Sequence, residues 1–342
     1  MSYYLFTLQF DAPVHFGKAE QGGGLEHTSF ALPADALVSA VLAELSQAGE
    51  YDVLQELLPK VQQGKLRFSD LLPWQEEQDG TWSFYLPRPV ITVKAAEPKA
   101  VSYQKTCEMA TARKRQKKLC YIRASRFHEY FKACANGTPF AENNDFGQEI
   151  LRERVNCRGE EPLPYFVGAF AFHENAGLYL LLEATEEEDA EQMAALLEFI
   201  GHTGLGGKRS SGYGKFHLAD DMVMLEDDAI YGKDDAALYQ LLHDDKAAWQ
   251  MMVSPVLPGQ KDMDIVSQGA YRLRHVGGFV TTAALAEKKN SICLLDSGSC
   301  LQKRVAGSMA ELGKNEGHSV YRYGYGLYVG VPDLDVNNEV KK

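Results

Sequence analysis

The sequence predicts an α+β protein made of two RRM-like, ferredoxin-like βαββαβ domains, the first with a long insertion and the second degenerate. Three observations carry this expectation. Apolar patterns up to residue 218 run strand, helix, strand, strand, helix, strand. An irregular stretch from about 50 to 160 interrupts that order after the first helix. Beyond residue 248 strand-like runs return, with helices hard to see.

Residues 3–11 alternate as a half-buried strand does. From Ala34, "ADALVSAVLAELSQAG" sets Leu37, Val38, Val41, Leu42 and Leu45 at helical spacing and places Gly49 where a C-cap glycine belongs. "HFGKAEQGGGLEHTS" between them is a glycine-rich loop. The insertion separates short apolar pieces by glycine, proline and charge, and contains "WSFYLPRPV" and a basic helix candidate, "TARKRQKKLCYIRASRFHEYFKACANG". "YFVGAFAF" and "GLYLLLEA", joined by "HENA", predict a hairpin. "EEEDAEQMAALLEFIG" reads as a helix with acids at its positive end and Gly201 past its last turn, and "KFHLA" as the closing strand. The first domain thus spans 1–218. An acidic connecting segment with a short helix follows at 219–247. The second domain, 248–342, has "AWQMMVSPVLP" as first strand and "YRLRHVGGFVTT" and "VYRYGYGLYVGV" as later ones.

The 342 residues carry a formal charge of −12, which argues weakly against a free nucleic-acid binder until charge segregation is considered. Residues 105–132 hold nine Lys or Arg against two acids, a net of +7, and residues 220–264 hold eleven acids against three Lys, a net of −8. The N-terminus lacks the basic region and apolar run of a signal peptide, and no stretch is apolar enough to span a membrane, so a cytoplasmic location is expected. The six cysteines form no CxxC pair and the nine histidines show no zinc spacing, so neither metal nor cofactor is expected. Acid pairs such as Asp220–Asp221 and Asp244–Asp245 read as a solvated face or a surface for a basic partner.

The richest local signal is "TGLGGKRSSGYGKF", residues 203–216, with five glycines, three cations and no acid between Gly204 and Lys215. It is neither a P-loop, because Tyr213 stands where the lysine belongs, nor a Rossmann fingerprint, because Arg209 replaces the third glycine. Both of those motifs run from strand to helix, so that phosphate meets a helix N-terminus; here a helix precedes and a strand follows. What remains is close approach of the main chain, which glycine permits. Lys208, Arg209 and Lys215 supply charge, Ser210 and Ser211 hydroxyl donors, and Tyr213 a face for base stacking, a set suited to an extended single-stranded polyanion. A flexible hairpin loop with solvated charges would have the same composition.

Gly204-x-Gly206-x5-Gly212-x-Gly214 resembles the glycine-rich loop of the RAMP superfamily of CRISPR proteins, and sits as theirs does between the second helix and last strand of an RRM-like domain. "GLGGKRSSGYGKF" is similar to the Cas5-like subunit family of the type III-A Csm effector complex, with further agreement at "HFG", "ADALVSAVLAEL", "YLPRPV", "RKRQKKLCYI", "SGSCLQKRV" and the closing tyrosine-rich strand. The resemblance implies a non-catalytic, RNA-binding structural subunit of a ribonucleoprotein in antiviral defence. It would grip the 5′ handle of the crRNA and dock the large polymerase-like subunit and the first backbone RAMP subunit. The residues expected on RNA are Gly204, Gly206, Gly207, Lys208, Arg209, Ser210, Ser211, Gly212, Tyr213, Gly214 and Lys215, joined by His15 and Gly17 of the first loop. Arg113, Lys114, Arg115, Lys117 and Lys118 of the basic run belong to the same set, as do Gly277, Gly278, Lys303 and Arg304 of the second domain. Two alternatives stay open: a metal-independent, repeat-processing endoribonuclease of the same superfamily using His15 or His27, and the equivalent subunit of a type III-B complex. The chain has no GGDD motif and no HD pair for polymerase or nuclease work.

Overall fold

A computed structural model describes residues 1–17, 24–90, 102–136, 138–157, 161–278, 289–315 and 318–331. Its centre is an antiparallel sheet in the order Phe216–Leu218, Ser2–Phe10, Ala176–Ala184, Leu72–Glu76, Trp82–Pro87, Tyr121–Arg123. The opening strand alternates between two cores, because successive side chains leave a strand on opposite faces. Tyr4, Phe6 and Leu8 point to the helices Ala34–Ala48 and Glu187–Thr203. Tyr3 and Leu5 point to a second core shared with Met251, Val253, Leu327 and Val329 of the C-terminal half.

The hairpin expected from "HENA" does not form. Leu163–Phe172 pairs along its whole length with Gly147–Asn156, while Ala176–Ala184 pairs with Ser2–Phe10 on one side and Leu72–Glu76 on the other. Burial is the reason. Ala176–Ala184 is buried on both faces and needs two neighbours, whereas the first half of Leu163–Phe172 is exposed. Phe170 and Phe172 bend away into an aromatic group with Phe10 and Phe30.

The stretch 50–160 is not wholly an insertion. Arg67–Phe68 and Leu72–Glu76 take the place beside Ala176–Ala184, and Trp82–Pro87 and Tyr121–Arg123 extend the sheet. The basic candidate helix is split into helix Tyr103–Gln116, strand Tyr121–Arg123 and helix Phe127–Asn136. The acidic segment is equally integrated. Met224 pairs with Tyr4, and helix Lys233–His243 buries Leu238 and Leu242 in the second core. Asp234 accepts from the Ser125 amide at 2.7 Å, and Tyr231 continues a stack with Trp82 and Trp74.

The C-terminal half centres on the strands Cys300–Leu301, Trp249–Met252 and Tyr328–Val331, with hairpins Leu273–Val276/Ile292–Leu295 and Ala310–Asn315/His318–Arg322. Its described helices after residue 250 are a single turn, Gln260–Asp262, and the five-residue Met263–Ser267.

Buried charge joins the halves. Asp35, in the first turn of helix Ala34–Ala48, is fully buried and accepts from Arg274 at 2.5 Å and Arg322 at 3.0 Å. Asp70 accepts from the Ala34 amide at 2.8 Å, capping that helix from a distant loop, and from the Ser297 hydroxyl at 2.5 Å. Asp35→Ala leaves the buried Arg322 without its carboxylate and Arg274 with Asp296 alone, at 3.3 Å, and should cost about 3–5 kcal/mol in denaturant unfolding. Burial raises the Asp70 carboxyl to about 7, against roughly 3.9 unfolded. The native state then holds this proton where the unfolded chain has lost it, so its stabilisation is complete below the unfolded value and fades as pH rises through about 7. Asp70→Asn should therefore flatten the fall in stability between about pH 4 and 7; parallel profiles of variant and wild type would contradict this.

Candidate nucleic-acid interface

The helix Glu187–Thr203 ends where Gly204, at φ 89°, turns the chain out. Gly206, Gly212 and Gly214 also have positive φ, of 90°, 84° and 75°. Main-chain bonds fix the loop on the first segment of the chain: Gly214 N donates to Pro13 O and Gly207 N to His15 O, both at 2.9 Å, and Leu205 N donates to Gly214 O at 2.9 Å. The glycines are required by contact as well as by torsion. A Cβ on Gly214 would lie 2.0 Å from Leu205 O, and one on Gly206 2.8 Å from His15 O. This is an anchored loop, not a flexible one.

Between the anchors, Lys208 takes left-handed backbone at φ 60°, the single non-glycine to do so among the described residues. A turn of 3₁₀ helix, Arg209–Ser211, follows. Left-handed then right-handed backbone points successive N–H groups into one concavity, a nest for anions. The amides of Lys208, Arg209 and Ser210 have no acceptor among the described residues. Ser210, Ser211, Gly212 and Lys215 are exposed. A groove of about 450 Å³ beside them is lined by Glu44, Thr203, Gly206, Lys208, Arg209 and Ser210.

Several expected residues take other roles. Tyr213 is only 3% exposed, so its ring offers no open face to a base; Arg152 lies 5.8 Å above it. Its place beside the loop is taken by the hairpin Gly147–Asn156/Leu163–Phe172, which brings Tyr165 to 5.2 Å from the Lys208 ammonium and leaves Phe166 about half exposed. Arg209 pairs with the buried Glu44 at 2.5 Å. Glu44 is absent from the sequence-based set, although a signal existed: an acid three residues after Val41, on the apolar stripe of the helix.

His15 is buried beneath the loop, and its Nδ1 bonds Gly168 O at 2.7 Å. Gly17 is exposed and pairs with Thr28. His27 is near Glu26 at 3.9 Å. Arg113, Lys114, Arg115, Lys117 and Lys118 are exposed, but they precede the opposite edge strand, Tyr121–Arg123. Five strand spacings, about 24 Å, separate that edge from the strand following the glycine loop. Gly278 is exposed at the end of its hairpin, with Gly277 half-buried; the end of the expected "RHVGGFV" contact lies outside the described residues. Lys303 is exposed, whereas Arg304 is tied to Gln250 at 2.6 Å and Leu242 O at 3.0 Å and acts as a structural brace. Asp220 accepts from the Tyr231 hydroxyl at 2.9 Å. Among the described residues no group of three or more His, Cys, Asp or Glu is placed to hold a metal ion, and no helix is long and apolar enough to cross a membrane.

The family described as the CRISPR Csm4 C-terminal domain matches residues 245–331. Relatives named CRISPR system Cms protein Csm4 match along the chain. The one from Mycobacterium tuberculosis is 28% identical over 340 residues, covering 97% of this chain and 99% of that protein. The one from Streptococcus thermophilus is 25% identical over 335 residues, covering 96% and 98%. In the crystal structure of a Csm3–Csm4 subcomplex of the type III-A CRISPR-Cas interference complex, one chain has the same fold at a TM-score of 0.61 and 15% identity, covering 97% of this chain and 100% of that one. A chain of the Csm1–Csm4 cassette in complex with cA4 gives 0.58 and 18%, with the same coverage. By fold and by relatives alike, the chain is similar to Csm4 proteins along nearly its whole length, and its residues 245–331 match the Csm4 C-terminal domain family.

Torsion and contact separate two glycines of the loop. Gly212 has φ 84° and a Cβ there would meet nothing within 4 Å, whereas one on Gly214 would collide with Leu205 O. Gly212→Ala should fold with a loss of about 1–2 kcal/mol for left-handed backbone. Gly214→Ala should lose distinctly more, or fail to accumulate as soluble protein; thermal unfolding of the pair checks this order.

Proposed function

We propose that this chain is a non-catalytic RNA-binding structural subunit of a type III-A CRISPR interference complex in the cytoplasm. It grips the crRNA 5′ handle and docks the large polymerase-like subunit and the first backbone RAMP subunit. One observation carries the RNA assignment: an anchored loop has three successive amides, those of Lys208, Arg209 and Ser210, with no acceptor among the described residues, in a stretch that lines the groove and ends at the exposed Lys215. Such a nest takes a phosphate without side-chain selection. Tyr165 and the half-exposed Phe166 supply the stacking surface that the buried Tyr213 does not. Gly204, Gly206, Gly207, Gly212 and Gly214 shape the loop. His15 supports it from beneath through its carbonyl.

The partner assignment rests on the relatives. The matching structures are of Csm4 with Csm3 and of Csm4 with Csm1, and the likeness extends over nearly the full length of the chain. The basic residues 113–118, Gly277, Gly278 and Lys303 are assigned to secondary contacts with RNA phosphates. The sheet order Phe216–Leu218, Ser2–Phe10, Ala176–Ala184, Leu72–Glu76 supports an RRM-like first domain. On this reading residues 1–218 and 248–342 are the two domains, joined by 219–247. The burial of His15, with Nδ1 held by Gly168 O, argues against His15 as the base of an endoribonuclease.

The Lys208→Glu/Lys215→Glu double variant tests the loop without touching the Glu44–Arg209 pair. It should reduce guide RNA retained in the purified assembly about tenfold, and lower the salt slope of single-strand binding by about 0.7 for each phosphate no longer neutralised. Full-length guide RNA at wild-type level in the variant assembly would make the loop assignment wrong.

A further inference from the structure

A column of three rings leads out of the second core. Trp74 is 1% exposed and stacks on Trp82 at 4.4 Å and 15°, and Trp82 stacks on the half-buried Tyr231 at 4.6 Å and 16°. Carboxylates gather at its outer end. The Tyr231 hydroxyl donates to Asp220 Oδ2, the Asp221 amide to Asp220 Oδ1 and the Tyr231 amide to Asp235 Oδ2, each at 2.9 Å. Asp235 is 2% exposed, and its second oxygen is buried without a hydrogen-bond partner. Burial first, then the charges of Asp220, Asp235 and Asp221, push the Tyr231 hydroxyl up, so all three carboxylates act on this one ring.

No cation answers them. Residues 219–243 hold seven acids and a single Lys or Arg. That residue, Lys233, is exposed, and neither it nor Asp220, Asp221 or Asp235 forms an ion pair among the described residues. The first turn of helix Lys233–His243 offsets part of the Asp235 charge, but Asp220 and Asp221 lie outside that helix. The acids are not grouped to hold a metal ion, and they repel a phosphate strand. An organic cation remains. A guanidinium is planar, stacks on aromatic faces and meets carboxylates through paired donors, whereas an ammonium is a point charge. Ile230, 54% exposed, adds an apolar neighbour.

We propose that Tyr231, Asp220 and Asp221 seat an arginine presented by a protein partner, its guanidinium against the ring and paired with the two exposed carboxylates. The buried Asp235 strengthens the field from beneath. An aromatic anchor with charge around it is the anatomy of an interface hot spot. The inference rests on the reading of this chain as a subunit that docks other proteins, and adds a surface and the side chain that it takes.

The test uses the full-length chain in the assembled complex, with the photo-crosslinker p-benzoylphenylalanine in place of Ile230. Mass spectrometry of the adduct should join position 230 to a segment of another protein with an arginine within about six residues of the link. Asp220→Asn/Asp221→Asn should weaken binding of that protein about 30-fold, while single-stranded RNA binding and thermal unfolding of the chain alone stay as in wild type. Asp220→Arg/Asp221→Arg should abolish docking, and changing the partner's arginine to aspartate should restore it at least in part, which a merely structural role would not allow. An adduct with RNA, with a second copy of this chain or with a segment lacking arginine overturns the proposal, as does no adduct or partner binding within about twofold of wild type in Asp220→Asn/Asp221→Asn. If partners assemble and these variants change nothing, this site alone falls; if the chain assembles with no protein at all, the docking reading falls with it.

Discussion

The helix Ala34–Ala48 carries a buried carboxylate at each end, and the rest of the arrangement is referred to it. Asp35, in its first turn, is shared by Arg274 and Arg322 of the C-terminal half. Glu44, in its last turns, holds Arg209 of the glycine loop. Nine residues of helix put the two about 14 Å apart on a rigid rod. The same rod is capped from outside by Asp70, whose second oxygen takes the Ser297 hydroxyl of the C-terminal half. Removing one member of such a buried set leaves its partners under-compensated in a low-dielectric interior; without Asp35, Arg322 would lose its carboxylate and Arg274 would keep only Asp296. The geometry of the loop is therefore tied to the seating of the second half, although no described residue of that half lines the groove.

This coupling explains how an acidic chain keeps a local site for a polyanion. Some of its acids are committed elsewhere: Asp234 ties the 219–247 segment to the Ser125 amide, Asp235 holds the Tyr231 amide within that segment, and Glu142 lies between Arg123 and Arg126. Charge that is paired at short range contributes little field beyond about a Debye length. At the loop the balance is different, because Lys215 is exposed, Lys208 lies over a ring and forms no ion pair among the described residues, and the amides add fixed positive dipoles.

How much of this was legible in the sequence depended on whether the cause was local. The helices Ala34–Ala48 and Glu187–Thr203, the opening strand and the glycine loop were legible because periodicity, caps and positive-φ residues are properties of neighbours in the chain. The pairing of Ala176–Ala184 was not. "HENA" is a good turn, yet the choice of partner was decided by two-sided burial and by the aromatic group that draws Phe170 and Phe172 away. The same limit applied to side chains. Lys208, Arg209 and Tyr213 adjoin in sequence, but Arg209 is claimed by Glu44 and Tyr213 lies buried beneath Arg152, contacts between residues 165 and 61 positions apart. Arg304 looked like an RNA ligand for the same reason and is a brace, because its carbonyl and amide acceptors come from Leu242 and Gln250.

The loop's backbone is the costliest of its features, and that cost bears on its role. Left-handed conformation disfavours a residue with a Cβ by about 1–2 kcal/mol, and four glycines avoid that penalty while Lys208 does not. A loop serving only to connect a helix to a strand would relax Lys208 or place glycine there. Strain of this kind persists where surrounding structure over-determines it, and here Gly207 is tied to His15 O immediately before it and Ser211 to Lys208 O immediately after. What that conformation achieves is the convergence of the Lys208, Arg209 and Ser210 amides, with the Lys208 ammonium brought over Tyr165. A cationic side chain at the one strained position thus adds its charge to the same concavity that its backbone opens, a combination that glycine could supply only in part.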